Sequence, residues 1–134
     1  MARMSERVQP LGWARPRGYS NGVVASGKLL FVAGQIGWDP RSSKPKLAKG
    51  FVAQFDRALA NVMDVVRAAD GRPENLVRVT LYVVSKREYR TALKQVGASW
   101  RRHVGSHYPA MTLVEVKSLL EDAAKVEIEA TAVL

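Results

Sequence analysis

The stretch Tyr108-Pro-Ala-Met-Thr-Leu-Val-Glu-Val-Lys117, with its sequel Lys125-Val-Glu-Ile-Glu-Ala-Thr-Ala-Val-Leu134, reads as two β-strands joined by a short polar link from Ser118 to Ala124. In the second run Val126, Ile128 and Ala130 point one way, and Glu127 and Glu129 the other. Alternation with period two marks a strand with one buried and one solvated face. A pair of carboxylates on the polar face is either a solvated surface or a piece of chemistry. Pattern alone favours the solvated surface, so the choice passes to the rest of the chain.

Upstream, Leu76 to Val84 is a further strand, with Val77, Val79, Leu81 and Val83 on one face and Arg78, Thr80 and Tyr82 on the other. Ser85-Lys-Arg-Glu88 then has the form of a capping box, in which the serine accepts from a backbone N–H and the glutamate returns the bond. Tyr89, Leu93, Val96 and Trp100 give the helix that follows its apolar stripe, and Gly105 is placed to end it. Between Phe51 and Ala69 the residues Phe51, Phe55, Ala58, Leu59, Val62, Met63 and Val66 fall on one helical stripe, with Gly71 and Pro73 as stop signals. Gly22 to Gly34 reads as a hairpin turning at Gly27, whose second strand, Leu29 to Ala33, is apolar on both faces. Residues 1–17 carry four arginines and two prolines and read as a loose basic leader before a single domain over 18–134. The order is β-β-α-β-α-β-β: an α+β fold, with a mixed sheet and two helices on one face. Two helices cover only one face of a sheet, so apolar residues on the other face imply an interface between copies of the chain.

Composition narrows the function classes. At 134 residues and 47% apolar, the chain is long enough for one core. It has no cysteine, which removes disulfides, a thiol nucleophile and thiolate metal sites and suits a reducing cytoplasm. No apolar run reaches the roughly 18 residues of a membrane span, so no membrane association is expected. The net charge is +9, but the cations are scattered and no aromatic residues alternate with them as a stacking platform. Charge alone supports only weak, salt-sensitive attraction to nucleic acid. His103 and His107 are four apart, as metal ligands on a helix would be. Gly105 lies between them and no third ligand is near in sequence, so no metal is expected.

Three sets of residues resemble one known family. Tyr19-Ser-Asn-Gly22 and Leu30-Phe-Val-Ala-Gly-Gln-Ile36 resemble its opening. Asn61-Val-Met-Asp-Val-Val, Ala68-Ala69 and Val79-Thr-Leu-Tyr-Val83 resemble its middle. Tyr108-Pro-Ala, Val114-Glu-Val and Lys125-Val-Glu-Ile-Glu-Ala130 resemble its ending. This is the RidA family, also called YjgF or the L-PSP endoribonuclease family. The resemblance implies a chorismate-mutase-like subunit and a homotrimer whose sheets form an inner barrel, with clefts between subunits. In deaminating members those clefts hydrolyse reactive enamines and imines to keto acids and ammonia without metal or organic cofactor. An arginine after the Pro-Ala step holds the substrate carboxylate, a glutamate on the last strand positions water, and a tyrosine near the N-terminus with backbone around a Ser-Gly-Gln turn completes the pocket.

Carried over by resemblance, Glu127 stands at the water-positioning glutamate and Tyr19 at the tyrosine. Ala33 replaces the serine before Gly34, and Leu113 replaces a cysteine. Lys94 falls at an asparagine position on the second helix, where it is a candidate replacement cation from a neighbouring subunit. Ala110 keeps the Pro-Ala step, and Met111 replaces the arginine. The implied binding set is Ala33, Gly34, Lys94, Ala110 and Met111. A thioether cannot grip a carboxylate as a guanidinium does. Three functions follow: a divergent deaminase or hydrolase of a small imine or enamine, a trimer that holds a ligand or partner without chemistry, or weak RNA binding or endoribonuclease-like activity. A charge-assisted hydrogen bond of about 1.5–3 kcal/mol corresponds to about ten- to a hundredfold in binding. Met111→Arg is therefore expected to raise kcat/KM for short 2-imino acids by about that factor over a weak wild type, read as ammonia and keto acid released. Rapid turnover by the wild type would mean that another cation already fills the role.

Overall fold

The computed structural model describes residues 5–134. Its strands are β1 (Ser5–Val8), β2 (Gly22–Ala25), β3 (Leu29–Ile36), β4 (Leu76–Val83), β5 (Ala110–Glu115) and β6 (Val126–Val133). Its helices are α1 (Phe51–Ala68), α2 (Lys86–Thr91) and α3 (Leu93–His103). The main sheet has the order β3-β6-β4-β5. β6 runs antiparallel to β3 and β4, and β4 runs parallel to β5. The α+β class and the mixed sheet are as the sequence predicts.

β6 is the strand on which the others assemble. Val126, Ile128, Ala130 and Ala132 are buried toward the helices, while Glu127, Glu129 and Thr131 face away, half-exposed. Full burial of such an apolar side chain contributes about 1.5–3 kcal/mol, and a slip of one residue would turn the whole set outward. α1 lays Phe55, Ala58, Leu59, Val62, Met63 and Val66 onto this face, each at most 1% exposed. Val96 and Trp100 of α3 close the other half of the core. On α1, Asp56 Oδ1 accepts from Ser99 Oγ at 2.7 Å, from Arg102, and lies 2.9 Å from His103 Nε2. Burial alone would raise the Asp56 pKa, but these three hydrogen bonds together hold it below the usual carboxylate value. The cluster ties α1 to α3.

Several details depart from the sequence expectations. First, β2 does not form a hairpin with β3. It pairs with β1 in a separate two-stranded sheet, Ser5 opposite Ala25 and Val8 opposite Gly22. After Gly27 the chain joins β6 instead: Leu134 N donates to Lys28 O at 2.8 Å, and Leu29 pairs with Val133. Eight-residue β3 and β6 satisfy more backbone on each other than β3 would on four-residue β2. Second, the expected loose leader is ordered at Ser5–Val8, because β2 offers it an open edge; residues 1–4 lie outside the described residues. Third, a register shift between Leu76 and Arg78 puts fully buried Leu76 at the end of the core and leaves Val77 half-buried. Fourth, the second helix breaks at Ala92 into α2 and α3. Ser85 Oγ accepts from Glu88 N at 3.2 Å, but the Glu88 carboxylate reaches Lys125 Nζ at 3.1 Å rather than returning to the cap. The left-handed residue after α1 is Asp70, φ 59°, in place of the expected Gly71.

Among the described residues no helix is long and apolar enough to cross a membrane. The sheet face away from the helices exposes Leu29 at 59% and Phe31 at 72%. The side chain of Gln54, 3% exposed, joins three segments: Nε2 donates to Ala48 O and Ala123 O at 3.1 Å, and Oε1 accepts from Lys125 N at 2.8 Å. Unmade buried hydrogen bonds cost about 1–3 kcal/mol each. Gln54→Ala is expected to lower the unfolding free energy by about 3 kcal/mol, checked by urea denaturation at one fixed protomer concentration.

Candidate functional site

The predicted site residues fall into two groups on opposite sides of the sheet. The first group surrounds Glu127. Its side chain points to the helix-free face, where β3 carries an irregularity: Val32 pairs with Ala130 and Gln35 with Ile128, so Ala33 and Gly34 together stand opposite Glu129 alone. Bulges of this kind release backbone groups from the ladder. Gln35 Nε2 donates to Ala33 O at 3.1 Å and steadies the bulge. The Glu127 carboxylate lies directly across Gly34; a Cβ at Gly34 would stand 2.0 Å from Glu127 Oε1. Gly34 therefore leaves the space that the Glu127 carboxylate occupies, and its backbone dihedral does not call for glycine.

The two carboxylates of β6 differ in their partners. Glu129 Oε1 accepts from Tyr82 Oη at 2.7 Å, and that bond, with desolvation and the carboxylate charge, raises the Tyr82 pKa. Glu127 has no hydrogen-bond or ion-pair partner among the described residues. Of the pair, Glu127 is the one whose oxygens stay free.

The second group lines a groove of about 550 Å³ between the β5 edge and the helices. Tyr19 and Met111 both border it. The chain reaches Tyr19 because Ser20 bridges in parallel to Ala110, with Ser20 N donating to Pro109 O at 2.9 Å and Ser20 Oγ donating to Tyr108 O. Tyr108 stacks on Trp100 with ring centroids 6.2 Å apart, and Trp100 Nε1 donates to His107 O at 3.0 Å. Met111 pairs with Val79 across β4 and faces the core side, half-buried. Leu81, Leu93, Val96 and Leu113 extend the apolar wall.

Neither Glu127, Ala33 nor Gly34 lines this groove, and Lys94 stands exposed on α3 outside it. The chain by itself brings Tyr19 to Met111 and Glu127 to Gly34, and does not bring the two groups together. Two cations at the groove, Arg17 and Arg101, were missed in the sequence. Arg17 lay in the expected leader, and Arg101 was one cation among several along the second helix. His103 and His107 go separate ways, one to Asp56 and the other, through Nε2 at 2.7 Å, to Leu76 O. A carbonyl only accepts, so His107 carries its proton on Nε2. Among the described residues no three His, Cys, Asp or Glu side chains gather as a metal site.

This geometry meets a consistent set of relatives. The family model described as Endoribonuclease L-PSP matches residues 13–134, and the chain belongs to that family, the RidA/YjgF family of the sequence resemblance. A RutC family protein of Aquifex aeolicus is 36% identical over 115 residues, covering 86% of this chain and 87% of that one. The 2-iminobutanoate/2-iminopropanoate deaminase of Salmonella typhimurium is 33% identical over 110 residues, covering 82% and 83%. In structure, the Rid family protein YyfB of Yersinia pestis, described as of unknown function, superposes with a TM-score of 0.84 at 28% identity, over 98% of this chain and 100% of that one.

Gly34→Ala tests the packing at the bulge. The group displaced is the end of a flexible side chain, so the melting temperature is expected to move by no more than about 3 °C, the shift that just under 1 kcal/mol produces in a domain of this size. The Glu127 carboxylate is expected to leave its position across residue 34 in a crystal structure of the variant.

Proposed function

We propose that the protein is a hydrolase of a small imine or enamine, acting in clefts between the subunits of a homotrimer without metal or organic cofactor. The observation that carries this reading is the free Glu127 carboxylate held across Gly34 beside an opened stretch of β3. The deaminase relative of Salmonella typhimurium supports the reaction class. The exposed Leu29 and Phe31 on the same face support burial against other copies. The separation of the Tyr19–Met111 groove from Glu127 within one chain supports a site completed by a neighbour. The absence of cysteine fits a cytoplasmic setting.

In this reaction an enamine first tautomerises to the imine. Glu127 takes a proton from the water whose oxygen adds to the imine carbon and passes it to the nitrogen, giving the carbinolamine. The carbinolamine hydroxyl then gives its proton, through Glu127, to the nitrogen as the C–N bond breaks, leaving a carbonyl product, ammonia and the regenerated carboxylate. Backbone N–H groups near Gly34 and Met111 orient the substrate, and Tyr19 packs beside it. With Met111 where the family resemblance implies an arginine, a carboxylate next to the reacting carbon has no charged partner at that position, so short 2-imino acids are poor substrates.

Glu127→Gln keeps shape and removes the base. It is expected to lower kcat by about 10²–10⁴ with KM nearly unchanged, measured as ammonia release from freshly generated imines. An unchanged kcat would sink the mechanism.

A further inference from the structure

The groove that Met111 borders is cationic on one side. Its lining contains no aspartate or glutamate but contains two guanidinium groups, Arg17 and Arg101. Neither forms an ion pair among the described residues, although Arg102, next to Arg101, is neutralised by Asp56. Arg101 Nη1 lies 3.3 Å from where a Cβ on Gly97 would stand, so the guanidinium folds back one turn along α3 over a glycine that itself lines the groove. Arg17 borders the groove and also a neighbouring basin of about 950 Å³ lined by Arg7 and Arg15. The local field is therefore positive along that side.

Apart from these cations the groove is mostly apolar: Leu81, Leu93, Val96, Met111 and Leu113 line it, together with Tyr19 and Tyr108. A guanidinium without a partner beside an apolar floor recognises an amphipathic anion. It offers a bidentate grip to a carboxylate, and the apolar floor favours each methylene removed from water.

We infer that the groove takes an organic acid whose carboxylate sits on Arg17 and Arg101 and whose apolar chain runs across to Met111. Taking the groove to be part of the site proposed above, the substrate is an imine or enamine with its acid group separated from the reacting carbon by an apolar spacer. The anion grip is displaced along the substrate rather than lost.

The test uses full-length protein and isothermal titration calorimetry with three probes: butyrate, octanoate and 1-octanol. Octanoate is expected to bind at least about tenfold more tightly than either of the others, since it alone combines the charge with the chain. Arg101→Gln and Arg17→Gln are each expected to weaken octanoate about tenfold, the effect of one charge-assisted hydrogen bond, and to leave 1-octanol unchanged. Arg101→Lys restores part of the loss. Equal binding of octanoate and 1-octanol, or octanoate binding indifferent to both arginines, overturns the inference. Since the measurement is binding and not turnover, a wild type that hydrolyses no imine yet binds octanoate through these arginines defeats the hydrolase reading alone. Imine hydrolysis combined with arginine-independent octanoate binding defeats this one alone.

Discussion

The strict alternation along β6 is the constraint on which the rest depends. β6 is hydrogen-bonded on both sides, to β3 and to β4. Its register therefore sets where both neighbours stand. Val126, Ile128, Ala130 and Ala132 must all face the helices for α1 to have a surface to cover. The same choice sends Glu127 and Glu129 to the opposite face. A functional carboxylate on this strand is thus held by the core itself: moving Glu127 by one position would require turning four buried side chains into water. Strands give more accurate placement than loops for this reason.

Two buried polar residues of α1 complete the positioning. Asn61 Nδ2 donates to Trp38 O at 2.8 Å and to Ile36 O at 3.2 Å, fixing the chain where β3 leaves the sheet. Gln54 holds the far side, at the entry to β6. Both side chains lie on the apolar stripe and are at most 3% exposed. They fix the ends of β3 and β6 that flank the Ala33–Gly34 bulge, so helix packing and site geometry are linked through backbone hydrogen bonds rather than through the site residues.

The sequence made legible whatever depends on local periodicity. The stripe of α1 and the two faces of β6 follow from spacing, because burial along a helix or strand repeats at fixed intervals. Pairing was less legible. Gly27 has the composition of a hairpin turn, yet it leads β3 onto β6, over a hundred residues away in the chain, because the longer ladder is the better partner. The bulge at Ala33–Gly34 was invisible for the same reason: it exists only relative to Glu129 on another strand. The preference for Glu127 over Glu129 came from family resemblance alone. The hydrogen bond from Tyr82 that occupies Glu129 depends on the β4–β6 register, which no local pattern encodes.

Position 111 brings these threads together. The side chain there faces the groove from an edge strand, half-buried, with Val79 beside it in the sheet. An arginine at this point would have its charge close to apolar Leu113 and Val96, and would need an anionic ligand to offset the desolvation. A methionine needs none, and its flexible thioether accommodates chains of varied shape. Met111 therefore leaves no buried charge in the empty groove. Arg17 and Arg101 sit where they are exposed to solvent, and so carry their charge at little cost before any ligand arrives. The cations of this groove therefore stand at Arg17 and Arg101 rather than at position 111. In the reading proposed above, an acid is held away from the reacting carbon, and selectivity follows that separation.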